Sequence, residues 1–134
     1  MTEWGMDRWK YFDITHRFHV VCNPTSLAKV EEIVGLLRLK PGSSVLDIAC
    51  GKAEMLVRLA ETYEVRGVGV DLSPYAVRDA EELKRQRVPD SDLQFINISG
   101  ADYHNGNTKQ FDLSMCIGAS WIYEIGRASC RERV

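Results

Sequence analysis

From residue 27 onward, apolar positions switch between a helical spacing and short strand-like runs. Leu27, Val30, Ile33, Val34 and Leu37 fall on one helical face. Asn23-Pro24-Thr25 just before them is a helix-start signal, because proline at the first helical position is already set to the helical φ. Lys40-Pro41-Gly42 turns the chain into a strand over Val45–Ala49, apolar except for Asp47. A crossover helix follows from Ala53 to about Tyr63, with Leu56, Leu59, Ala60 and Tyr63 on one face, and then a strand over Val65–Val70. Ser73-Pro74 starts a further helix that runs to about Arg87 and breaks at Val88-Pro89-Asp90. Leu93–Ile98 and Phe111–Ile117 are the third and fourth strands. Strands alternating with helices predict a parallel α/β sheet with right-handed crossovers.

The two ends break this pattern. Residues 1–22 mix Trp4, Trp9, Tyr11, Phe12, Phe18, His16 and His19 with charges. That aromatic density predicts a segment, 1–39 with its helix, that docks on the domain at 40–123. Residues 124–134 have neither strand alternation nor a helical stripe. A sequencing adapter translated in frame gives these residues and then a stop codon, so they are set aside as a non-native tail and the authentic sequence is expected to end near Tyr123. Cys130 and the arginines around it then carry no functional meaning; the alternative is a genuine basic tail.

A length of 134 residues bounds the chain to one domain with a modest core. A net charge of −2 gives no electrostatic reason to expect nucleic acid or an anionic membrane as partner. The N-terminus lacks the apolar core of a signal peptide, and no run approaches the roughly 18 apolar residues of a membrane span. The expected location is the cytoplasm. Cys22, Cys50, Cys116 and Cys130 stand singly with no Cys-x-x-Cys pair, which argues against zinc or redox chemistry.

The chemistry concentrates between Val45 and Asp71. A buried strand runs into the small-residue loop Ala49-Cys50-Gly51-Lys52-Ala53, and a second strand ends in Asp71, twenty residues after Gly51. Such a βαβ unit holds an adenosine-containing cofactor: the loop lets backbone approach the ligand, and the second acid accepts hydrogen bonds from the ribose hydroxyls. A dinucleotide pyrophosphate wants Gly-x-Gly-x-x-Gly spacing, and this loop has only Gly51, which disfavours an NAD-dependent oxidoreductase.

These residues resemble the class I S-adenosylmethionine (SAM)-dependent methyltransferases over about residues 40–121. The family's first motif is usually Asp-x-Gly-x-Gly-x-Gly; here it is Asp47-Ile48-Ala49-Cys50-Gly51-Lys52-Ala53. Alanine is small but resists positive φ, so Ala49 and Ala53 are expected to need ordinary backbone angles for the pocket to form. The resemblance implies a Rossmann-like doubly wound parallel sheet, truncated here after the fourth of seven strands. It implies SAM as cofactor, with Asp47, Ala49, Cys50, Gly51, Asp71 and Leu72 around the amino acid and ribose. Adenine would meet the segment Ser99-Gly100-Ala101-Asp102: register favours Ser99 as the reader, residue type favours Asp102. Cys116 and Ile117 would lie against the cofactor, Gly118 to Ser120 would flank the methyl group, and Trp121 would be a pocket wall or a core residue.

The implied activity is in-line methyl transfer to a small-molecule acceptor, which requires no metal. His16 and His19 are the candidates for a catalytic base, and Tyr11 for contact with the SAM carboxylate. A structural or surface role is the stronger reading for His16 and His19, and His104 is the third imidazole. The alternatives are an inactive SAM-binding fragment, expected to aggregate or fold only partly because its sheet edge is uncovered, and a binding module for neither cofactor. Acceptor identity and oligomeric state are not legible.

Overall fold

The computed structural model describes Lys10, residues 26–103 and residues 111–117. Helix α1 spans Leu27–Leu37 and packs Val30 and Val34 inward. Its cap is Ser26, whose hydroxyl accepts from the Lys29 amide at 3.2 Å, so the helix starts later than the signal at residues 23–25, which lie outside the described residues. At its far end the Tyr63 hydroxyl donates to the Val34 carbonyl at 2.6 Å and accepts from the Arg38 amide at 3.3 Å. One side chain thereby satisfies a free carbonyl and a free amide at the helix terminus.

Strand β1 (Ser44–Ile48) leads to helix α2 (Glu54–Tyr63), strand β2 (Arg66–Asp71), helix α3 (Pro74–Arg87) and strand β3 (Leu93–Asn97). A short 3₁₀ turn over Gly100–Asp102 follows, and then strand β4 (Leu113–Met115). The order across the sheet is β3-β2-β1-β4, every pair parallel. The chain thus builds outward from β1 to β3 and crosses back to the other side of β1. Ligands of such sheets bind beyond the carboxyl ends of the strands, at this switch point.

β4 is shorter than the apolar run Phe111–Ile117 predicts, and Asp112 accounts for its late start. Its Oδ2 accepts from the Ser44 amide at 2.8 Å and the Ser44 hydroxyl at 3.2 Å, while its own amide donates to Ser44 Oγ at 3.1 Å. This clasp replaces ladder bonds at the start of the strand.

Two cross-strand rows face the three helices. Leu93, Gly67, Val45 and Leu113 form one row; Phe95, Gly69, Asp47 and Met115 form the next. Val45, Leu93 and Leu113 of the first row, with Phe95 and Met115 of the second, join the core with Val30 and Val34 of α1, Leu56, Val57, Leu59 and Ala60 of α2, and Ala80 of α3. Gly69 keeps the second row closed. A Cβ built there would lie 2.9 Å from Cys50 Sγ and 2.9 Å from Phe95 Cδ1. Gly69→Ala is therefore expected to cost about 1–3 kcal/mol through overpacking and to push Cys50 out of place. Urea denaturation reads the first effect; an unchanged midpoint would mean that Phe95 yields freely.

Candidate functional site

The loop between β1 and α2 takes a conformation that its sequence argues against. Ala49, Gly51 and Ala53 all have positive φ, at 57°, 58° and 67°. The expectation of ordinary angles at the two alanines is thus overturned. Tertiary hydrogen bonds impose the left-handed turns against the preference of the residues. The Cys50 amide donates to the Val70 carbonyl of β2 at 3.0 Å, and a turn bond within the loop, from the Ala53 amide to the Cys50 carbonyl at 3.0 Å, goes with it. The Gly51 amide donates to Asp71 Oδ2 at 2.9 Å. Each left-handed alanine costs about 1–2 kcal/mol. Ala49→Gly should remove that strain while adding freedom to the unfolded chain, for a net gain of about 0.5–1 kcal/mol. Thermal unfolding checks it, and a lower midpoint would contradict it.

Asp71 is the hub of the site. Its second oxygen, Oδ1, accepts from the Ser73 amide at 2.8 Å, where α3 begins. Ser73 is buried and its hydroxyl accepts from the Ala76 amide at 3.3 Å, as the Ser73-Pro74 signal predicts. Between them Leu72 is 47% exposed at the carboxyl edge of the sheet. β3 braces this corner: Asn97 Nδ2 donates to the carbonyls of Asp71 at 3.0 Å and Leu72 at 2.9 Å, and the Ile98 amide donates to Asp71 at 3.1 Å. Asn97 was not singled out from sequence; a polar amide closing an apolar strand is the signal that marks it.

Asp47 lies in the middle of the helix-facing row and is 4% exposed. Burial, with the Asp71 carboxylate as a second cause, pushes its carboxyl up to about 8. The Gly51 amide of the neighbouring loop goes to Asp71 rather than to Asp47.

Ser99 and Asp102 sit on one 3₁₀ turn after β3. Ser99 Oγ accepts from the Ala101 amide at 3.3 Å, Gly100 is buried beneath, and Asp102 is exposed. Cys116 and Ile117 follow directly on β4, half-buried beside the end of β1. Carboxyl ends of four strands therefore carry Asp47, the 49–53 loop, Asp71, Leu72, the 99–102 turn, Cys116 and Ile117. Tyr11, His16, His19, His104, residues 118–121 and the 124–134 tail lie outside the described residues. Among the described residues no helix is long and apolar enough to cross a membrane.

One acid was missed from sequence. Glu54, the first residue of α2, is 5% exposed and pairs with Arg58 and with Arg87 at the end of α3. Its position in the first turn of a helix, next to the loop, is the only local signal for it.

Comparison with known proteins agrees with this geometry. The family model for mycolic acid cyclopropane synthetase matches residues 20–127. The uncharacterized protein YjhP of Escherichia coli is 30% identical over 117 residues, covering 87% of this chain and 46% of that protein. Its X-ray structure superposes with a TM-score of 0.79 at 29% identity, over 92% of this chain and 49% of that one. A SAM-dependent methyltransferase from Thiobacillus denitrificans, solved in complex with S-adenosyl-L-homocysteine, superposes with a TM-score of 0.78 at 32% identity, over 87% and 46%. Cyclopropane mycolic acid synthase 1 of Mycobacterium tuberculosis is 32% identical over 85 residues, 58% of this chain and 29% of that protein. This chain thus spans less than half the length of these relatives. With the Rossmann-like sheet and its solved neighbours, the match places the chain in the mycolic acid cyclopropane synthetase family, whose fold is that of SAM-dependent methyltransferases.

Proposed function

We propose that the carboxyl edge of this sheet binds SAM for methyl transfer to a small-molecule acceptor. The donor set suits that ligand, which carries an ammonium, a sulfonium and a ribose diol. Asp71 carries the reading. Each of its oxygens takes one backbone amide, from Gly51 and from Ser73, which leaves a further acceptor position on each for a ribose hydroxyl. The loop presents Ala49, Cys50 and Gly51 backbone beside it, and Asp47 supplies a second carboxyl within electrostatic reach. Leu72 offers an exposed apolar surface to an adenine ring, with Ser99 or Asp102 for its amino group, and Cys116 and Ile117 border the cofactor at the end of β4.

Bound SAM supplies an activated methyl group on a sulfonium leaving group. What the chain contributes is placement and exclusion of water, so that the acceptor meets the methyl carbon in line. The relatives named for mycolic acid make an acyl chain the first acceptor to try.

The test is calorimetric titration of the chain with S-adenosyl-L-homocysteine and, separately, with NADH. Saturable binding of the first and none of the second is expected. Binding of NADH would revive the oxidoreductase reading, and binding of neither would leave a module without this cofactor.

A further inference from the structure

The strained loop has a second anchorage that the cofactor chemistry does not require. Glu54 follows directly on Ala53, which is fully buried with φ 67°. The Glu54 side chain is 4% exposed, and its Oε1 accepts from Arg58 Nε at 2.7 Å. Arg87 Nη1 lies 2.8 Å from both Glu54 oxygens. Arg87 is itself held by Glu61, through Nε at 3.3 Å and through Nη2, and Arg58 reaches Glu31 of α1 at 3.0 Å. A chain of charges therefore ties the first residue of α2 to the last residue of α3 and to α1.

Stability alone does not account for such a cluster, because burying the Glu54 carboxylate carries a desolvation cost that a packed apolar side chain would not incur. Its location suggests another use. Ala53 would gain by relaxing into the right-handed region and extending α2 backward by one residue. That motion would carry residues 49–52 away from Asp71. The Gly51–Asp71 bond resists it from one side, and Glu54 can resist it from the other only if its side chain is fixed. Burial pushes the Glu54 carboxyl up, but hydrogen bonds from Arg87 and Arg58 outweigh it and hold the group below the usual carboxylate range, so it is charged at neutral pH.

We infer that the Arg87–Glu54 pair is a strut that fixes the start of α2 and so keeps the cofactor loop in its binding shape, with Arg87 and Glu54 as positioning residues. The inference rests on the reading of that loop as the SAM site.

Arg87→Met, which keeps most of the side-chain volume and removes the charge, tests it in the full chain. Two readouts are compared at a temperature where both proteins are folded. The dissociation constant for S-adenosyl-L-homocysteine should rise about tenfold, and amide hydrogen exchange at Gly51 and Ala53 should accelerate without ligand. Arg87→Lys should recover part of both. Adding Ala53→Gly to Arg87→Met should bring affinity back to within about threefold of the original, since glycine holds the left-handed turn without strain. A merely structural Arg87 would not be rescued at that one position. If Arg87→Met does not fold, Arg87→Lys alone should still show faster exchange at Ala53 and about a threefold loss of affinity. Affinity within twofold of the original, with undiminished protection of Gly51 and Ala53, overturns the strut. If the unaltered chain itself binds no S-adenosyl-L-homocysteine, the cofactor reading fails, and the exchange comparison still decides the strut.

Discussion

Asp71→Ala is expected to weaken S-adenosyl-L-homocysteine binding about a hundredfold, or about 2.7 kcal/mol, and to destabilise the fold by about 2–3 kcal/mol. Both effects follow from one carboxylate serving two partners. The ribose hydroxyls would lose a charged acceptor, and hydrogen bonds to charged groups contribute roughly 1.5–3 kcal/mol. The Gly51 and Ser73 amides would lose theirs as well. Gly51 then loses its direct bond to β2 against the strain at Ala49 and Ala53, so the loop is loosened before any ligand arrives. Asp71→Asn separates the two roles. It keeps one oxygen for one amide and turns an NH₂ group toward the other, so both losses should be intermediate. Calorimetric titration reads the binding and urea denaturation the stability. Asp71→Ala with affinity within threefold of the original would remove this residue from the cofactor site.

The elements were legible because their signals are local. Apolar runs bounded by Pro41-Gly42, Ser73-Pro74 and Val88-Pro89 mark strands and helices to within a residue or two, and the spacing from Gly51 to Asp71 locates the βαβ unit. The backbone angles of the loop were not legible. Alanine in place of glycine argues for ordinary φ, and only bonds to Val70 and Asp71, across the sheet, reverse that preference. Gly69 was visible as a residue but not as a contact, because what excludes a side chain there is Cys50 from the loop and Phe95 from β3. Glu54 and Arg87 lie 33 residues apart, a spacing with no periodic signature, and meet only because α2 and α3 pack together. The same holds for Ser44 and Asp112, whose clasp shortens β4 below its apolar run. Sequence thus carried the scaffold, and long-range contacts decide the shape of the site.

Asp47→Asn is expected to stabilise the ligand-free chain above neutral pH and to weaken its hold on the cofactor. The folded carboxyl sits at about 8 against an ordinary 3.8. Below pH 4 both folded and unfolded chains hold the proton, and the group adds no pH dependence. Between pH 4 and 8 the unfolded chain releases it while the folded chain does not, so stability falls as pH rises, by at most about 1.4 kcal/mol per pH unit. Asparagine has no such proton. The advantage of the variant should therefore grow from pH 4 to pH 8 and then level off. Glu54 acts with the opposite sign. Held below its ordinary value, it contributes stability that is present above about pH 4.5 and lost as the solution becomes more acid, but it does so in both proteins and cancels from the difference. A cationic ligand favours the ionised form of Asp47, so binding by the original chain near pH 7 should release a proton into the buffer. The asparagine variant should release less and bind more weakly. Titrations in two buffers of different ionisation enthalpy measure the release, and denaturation from pH 5 to 8 measures the stability. A stability difference that stays flat over that range would mean that Asp47 is already ionised in the folded chain, its charge met by solvent at the mouth of the loop.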